Sequence, residues 1–216
     1  MTLRIPGRAF RSAVLVAAIL TVLPSLALAQ GEPGTTSPKS NKPPEPPGKL
    51  PKVGPDRTRG LDFLFGALKV APDEVSAKAV EAKIWAIWLQ TPSDTAALLM
   101  ARAKAAIDAQ QGDIALKLLD ATIKLRPDYV EAWNRRATLY YLRNDYGRSL
   151  ADIQQVLVRE PRHFGALAGL GMIMQDLGDD KRALDAFRKA LAVNPHLDKV
   201  PDLVKTLTEK VEGRDI

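Results

Sequence analysis

Few residues in this chain have the type and spacing that chemistry needs. His163 and His196 could serve as general bases or metal ligands. They fall two and one residues beyond Pro161 and Pro195, in loop positions between helical stretches. Neither has the carboxylate–His spacing of a zinc-binding helix. Ser149 lies within a helical stripe, not on the strand-to-helix elbow that exposes a serine nucleophile. Gly165, Gly169 and Gly171 read G-x-x-x-G-x-G, but inside a helical pattern and not after a strand, so close helix packing accounts for them better than a phosphate loop. Gly178-Asp179-Asp180 is too short for a calcium loop. The chain has no cysteine, which excludes disulfides, thiol catalysis, Cys-ligated zinc, iron–sulfur clusters and a lipid-modified cysteine. The expectation is a protein that is not an enzyme and has no cofactor and no metal.

Arg135-Arg136 could recognise a carboxylate or a phosphate on a partner. For Arg136 the expected role is local: an aliphatic stem packed on its own domain and a guanidinium paired with Asp152 or Glu160. The role of Arg135 stays open. Charge argues against nucleic acid. The chain carries a net charge of +6, but the excess lies entirely in residues 1–60, leaving 22 basic and 22 acidic residues in 61–216. A neutral domain lacks the cationic surplus that neutralises phosphates.

The elements that position these residues follow from periodicity. Pro127, Pro161 and Pro195 are 34 residues apart. Aligned on them, the chain stacks into segments of about 96–129, 130–163 and 164–197, each with two helical stretches. In the second, Trp133, Ala137 and Tyr140 form one apolar stripe, Asn144-Asp145 breaks the helix, and Ser149, Ile153, Val156 and Leu157 form the next stripe. In the third, Leu167, Leu170, Gly171 and Met174 precede a Gly178-Asp179 turn, and Ala183, Phe187, Ala190 and Leu191 follow it. Asp128, with Glu131 three residues on, suits a capping box. The first segment holds the same register less closely, and its Gly112 sits two places late for the turn.

These residues resemble the tetratricopeptide repeat. Trp133, Ala137, Tyr140 and Pro161, then Leu170-Gly171, Ala183, Phe187, Ala190 and Pro195, match the family's pattern, while Arg136, Ser149 and Ile153 depart from it. The resemblance is specific over 94–195, suggestive over 60–93, and absent over 1–59. It implies an all-α, right-handed solenoid of antiparallel helix–turn–helix units, with a degenerate unit at 61–94 and a polar capping helix at about 199–211. Stacking needs small residues where helices approach, which assigns Ala137, Gly171, Ala183 and Ala190 to packing. In this family the first helix of each unit lines a concave face that often holds a peptide. The matching residues include Met100 and Lys104, then Glu131, Asn134, Thr138 and Tyr141, then Met172 and Gln175. The set lacks the Lys/Asn/Arg group that clamps a C-terminal carboxylate in some members. It suits an apolar or amphipathic protein segment.

Residues 1–29 read as a secretory signal: Arg4, Arg8 and Arg11, an apolar run from Ala13 to Leu23, then Ala27-Leu28-Ala29 before Gln30. An uncleaved anchor is the alternative, but the run is short for a span of ~20 residues. Cleavage would leave no stable membrane insertion. Residues 30–60 contain eight prolines and no aromatic residue, so they are expected to be a disordered spacer. The functional expectation is an exported, non-catalytic adaptor in the periplasm that binds a protein or peptide of unknown identity. The alternative is a homo-oligomer that supports envelope assembly through exposed repeat ends or the Trp85/Trp88 pair.

Overall fold

The computed structural model describes residues 56–213, so the signal-like segment and most of the proline-rich segment lie outside the described residues. Among the described residues there are nine α-helices and no strand: α1 Asp56–Lys69, α2 Glu74–Trp88, α3 Asp94–Asp108, α4 Gly112–Leu125, α5 Val130–Leu142, α6 Tyr146–Arg159, α7 Phe164–Asp176, α8 Asp180–Val193 and α9 Val200–Val211. The first helix begins four residues before the expected end of the spacer at residue 60, directly after the last proline of that stretch, Pro55.

Helices α3–α8 form three hairpins in the expected 34-residue register. Each hairpin turns through one left-handed residue, at Gln110, Asn144 and Gly178, with φ of 57°, 57° and 79°. The next amide in each case closes the turn: Gln111 donates to Ala106 O at 2.8 Å, Asp145 to Tyr140 O at 2.9 Å and Asp179 to Met174 O at 2.8 Å. These are the six-to-one bonds of a Schellman ending. Gly112 is therefore not a displaced turn glycine; it is the first residue of α4. Asp145 and Asp179 then cap the second helices by accepting from Arg148 N and Arg182 N at 3.1 and 2.9 Å.

The expected capping box at Asp128 is not formed. Buried Tyr129 takes the N-cap place of α5 with no side-chain capping bond to the helix, one residue downstream of Asp128, whose carboxylate forks the Arg126 guanidinium at 2.9 and 2.6 Å.

The small residues pack as expected. A Cβ added at Gly171 would lie 2.6 Å from the ring of fully buried Phe187. Ser149 is buried and donates its hydroxyl to Ala137 O at 2.8 Å, tying α6 to α5. Arg136 spans three helices: Nε and Nη2 each reach Asp152 at 2.8 Å, and Nη1 reaches Asp120 at 2.7 Å. The bidentate geometry with Asp152, ahead of the burial that opposes it, holds the guanidinium firmly protonated. Glu160, the other expected partner, pairs with Arg162. At the far end α9 buries Val200 and Leu207 and is clamped to α8 by Arg188 on Glu212.

The α1–α2 pair is helical, as the apolar stripe requires, but its apolar side meets the turns between the later repeats. Leu61, Phe65, Leu68, Ala77, Ile84 and Trp88 share one core cluster with Phe164, and Val193 and Leu197 pack against it. Its polar groups follow the same line. Tyr129 donates its hydroxyl to Leu89 O at 2.6 Å, Arg162 reaches Asp62 at 2.6 Å, and Asn194 donates to Glu81 at 3.0 Å. Contact points run backwards along α2 as they run forwards along the repeats, so α2 crosses the stack antiparallel to its direction, as a strut. The residues of the degenerate unit at 61–94 do form a helical pair, but the partners of its apolar side lie about a hundred residues away.

Candidate partner-binding surface

The first helices of the three hairpins, α3, α5 and α7, carry every residue expected to face a partner. Their two ends have different surroundings.

At the N-terminal end of α5, Glu131 is buried and fully engaged. Its carboxylate accepts from Asn134 Nδ2 at 3.0 Å and from Arg135 Nε at 3.1 Å, and His163 Nε2 stands 3.4 Å away. His163 is itself buried and accepts the Ala166 amide at Nδ1, 3.1 Å, which caps α7 and leaves Nε2 as the protonated nitrogen of a neutral ring, pointing to Glu131. The imidazole stacks on the Trp88 indole, with centroids 4.1 Å apart and planes 15° apart, while Trp85 meets His163 and Phe164 edge-on at 5.4 Å. A Cβ at Gly165 would lie 3.0 Å from Trp85, so glycine here makes room for the indole. Glu131 and Asn134 are thus closed to an outside partner, because α2 lies over the ends of the helices that carry them. The Trp85/Trp88 pair is likewise committed within the chain.

The C-terminal ends remain open. Thr138, Tyr141, Met172 and Gln175 are all half-buried. The hydroxyl of Thr138 bonds back to Asn134 O at 3.1 Å. Burial, assisted by neighbouring Asp176, holds the Tyr141 phenol above its ordinary pKa; Tyr146 is shifted in the same direction by the same two causes and donates to Asp176 at 3.2 Å. On α3, Lys104 is partly exposed and pairs with Asp108 at 2.6 Å. Met100 differs from expectation: it turns into the core of the first hairpin, among Ala96, Ala103 and Leu119. No group of three His, Asp or Glu side chains among the described residues could hold a metal ion. No described helix is long and apolar enough to cross a membrane.

A family model for the tetratricopeptide repeat matches residues 100–151 and 136–198. A TPR repeat-containing protein of Rhizobium etli is 40% identical over 153 residues, covering 71% of this chain and 75% of the relative. This chain belongs to the tetratricopeptide-repeat family. Solved tetratricopeptide-repeat structures share the fold at low identity. The first TPR domain of Spaghetti (RPAP3), bound to an HSP90 peptide, superposes with a TM-score of 0.53 at 13% identity, covering 56% of this chain and 95% of that one. The MamA protein superposes with a TM-score of 0.52 at 16% identity, covering 74% and 85%.

Within the tetratricopeptide frame, the residues on which α2 rests have a regular origin. Tyr129, His163 and Leu197 are each two residues beyond a repeat proline, 34 apart, and all three touch α2 or its cluster. Large side chains recur at that one turn position, but their spacing does not by itself say that α2 rests on them.

Proposed function

We propose that this protein is a non-catalytic interaction module of the cell envelope, exported by its N-terminal segment, that holds a peptide or protein segment against the open ends of α5 and α7. The observation that carries this reading is the half-exposed set Thr138, Tyr141, Met172 and Gln175, with Lys104 at its edge, beside a strut that fills the rest of the same face. Tyrosine and methionine are adaptable apolar contacts, and the hydroxyls and the Gln175 amide supply hydrogen bonds, so an apolar or amphipathic segment fits. The fold's capacity to hold a peptide is supported by the solved relative bound to SRMEEVD.

The test is crosslinking in intact cells followed by partner recovery with wild type and with Tyr141→Ala plus Met172→Ala. The double variant should lose the recovered partner while keeping its helical circular dichroism. Equal recovery would place the contact on another surface. N-terminal sequencing of the exported protein should find Gln30 first; a mature chain starting at Met1 would rule out a cleaved signal.

A further inference from the structure

In a stack of repeats, one flank of each first helix is covered by the preceding hairpin. Positions 34 apart show this coverage directly. Ala132 and Ala166 are 0% and 1% exposed, and Leu139 and Ile173 are 6% and 0% exposed. The matching residues of the first hairpin are Leu98 and Ala105. Leu98 is 54% exposed, and Ala105 is exposed too. Helices α1 and α2, which precede α3 in the chain and would be expected to stack there, rest instead on the later turns. The α3 flank therefore has the register of a stacking surface without the hairpin that would cover it.

The charge on this flank selects what covers it. Asp94, Leu98, Ala101 and Arg102 lie on one side of α3 at helical spacings of four, seven and eight, and all are exposed. Asp94 and Arg102 form no salt bridge among the described residues, although the Arg102 counterpart one repeat on, Arg136, is fully paired. The other end of the array is closed by α9, which turns Lys205, Thr206, Glu209 and Lys210 outward or to the edge. An end-to-end polymer is thus disfavoured, and the open end of one copy is left to meet the open end of another. Such a contact is two-fold and self-complementary. With α3 antiparallel to its mate and the axis at Leu98, each Asp94 faces the Arg102 of the second copy, because 98 lies midway between them. Moving the axis to Ala101 would instead set Asp94 against Asp108.

We propose that the Asp94–Leu98–Arg102 flank of α3 is a self-association surface that pairs two copies of this chain about a two-fold axis at Leu98. Ala101 lets the helices approach, and the short overlap makes the dimer weak and concentration-dependent. This proposal is independent of the peptide-holding face, which uses other residues.

The chain has no cysteine, so one introduced thiol reports one contact. In the full chain, Leu98→Cys should form a disulfide-linked dimer under mild oxidation at least tenfold faster than Leu177→Cys, an equally exposed site at 54% on the turn after α7. Sedimentation of the cysteine-free chain should show a dimer that grows with concentration. Asp94→Arg alone and Arg102→Asp alone should each weaken it about tenfold or more, since each replaces two attractions by two repulsions, and the double reversal should restore it to within about threefold. Equal crosslinking at the two sites, or a dimer indifferent to the reversals, overturns the proposal. So does a monomer whose α3 amides are protected at every concentration, which would assign the flank to residues 1–55 of the same chain.

Discussion

Replacing Trp88 by alanine should free the strut from the repeats. The indole is buried, stacks on His163 at 4.1 Å, and meets Trp85 and Phe164 at 5.1 Å and Phe65 at 6.1 Å. Its Nε1 is the one buried side-chain polar atom among the described residues that finds no hydrogen-bond partner. Truncation therefore forfeits burial and ring packing but no hydrogen bond, a loss of about 3–5 kcal/mol for a tryptophan-to-alanine change. If that loss falls on the α1–α2 pair alone, its opening constant rises by roughly two to three and a half powers of ten, at about 1.4 kcal/mol for each. Native-state hydrogen exchange measures this. Amides of α2 should lose protection by such factors, while amides of α7 and α8 change much less. Trp88→Phe is the companion: it gives up part of the stack, but it also removes the unpaired donor, whose burial costs about 1–3 kcal/mol, so its net effect should be within about 1 kcal/mol. Unchanged protection in α2 of Trp88→Ala, to within threefold, would refute the claim that Trp88 holds the strut.

Gly171→Leu and Ala190→Leu should each overpack the helices around Phe187 and cost about 1–3 kcal/mol, read as a lower melting temperature; an unchanged value for either would count against the repeat register. Asp145 and Asp179 accept backbone and arginine hydrogen bonds that hold their carboxyls below the usual range, so their capping is complete above the unfolded carboxylate pKa of about 4 and is lost as pH falls through the lower folded values. Acid titration by circular dichroism should show Asp179→Asn with a smaller loss of stability than wild type across that window. Tyr141 and Tyr146 should ionise later than a free tyrosine in an absorbance titration, because burial and Asp176 favour the neutral phenol; the stability they confer is present below about pH 10 and declines as pH rises past it.

The repeats are legible because their cause is local. The spacing of Pro127, Pro161 and Pro195, and the small residues between them, fix which helix faces meet within about 34 residues of chain. The placement of α1–α2 has no such local cause. Leu61, Phe65, Ile84 and Trp88 announce a buried stripe, and that stripe would serve equally on α3 or across the later turns. What decides between them are pairs such as Asp62 with Arg162 and Glu81 with Asn194, separated by 100 and 113 residues. The expected surface was half legible for the same reason. Tyr141 and Met172 are half-buried on their helices, whereas Glu131 and Asn134 are buried near a helix whose destination the pattern does not encode.

The strut also bears on the order in which the molecule can be completed. A plain repeat array can fold from its first unit onward as the chain emerges, since each unit needs only its neighbour. Here the first two helices are synthesised first, yet Phe164, Asn194 and Leu197, the residues that bury them, come a hundred residues later. Until then Phe65, Ile84 and Trp88 have no lasting shelter, and the closing of a long loop must precede their docking. The slow step in forming this protein should therefore be the return of its beginning to the later repeats, and a chain cut before His163 should expose the tryptophans of α2 even though its first hairpin is intact.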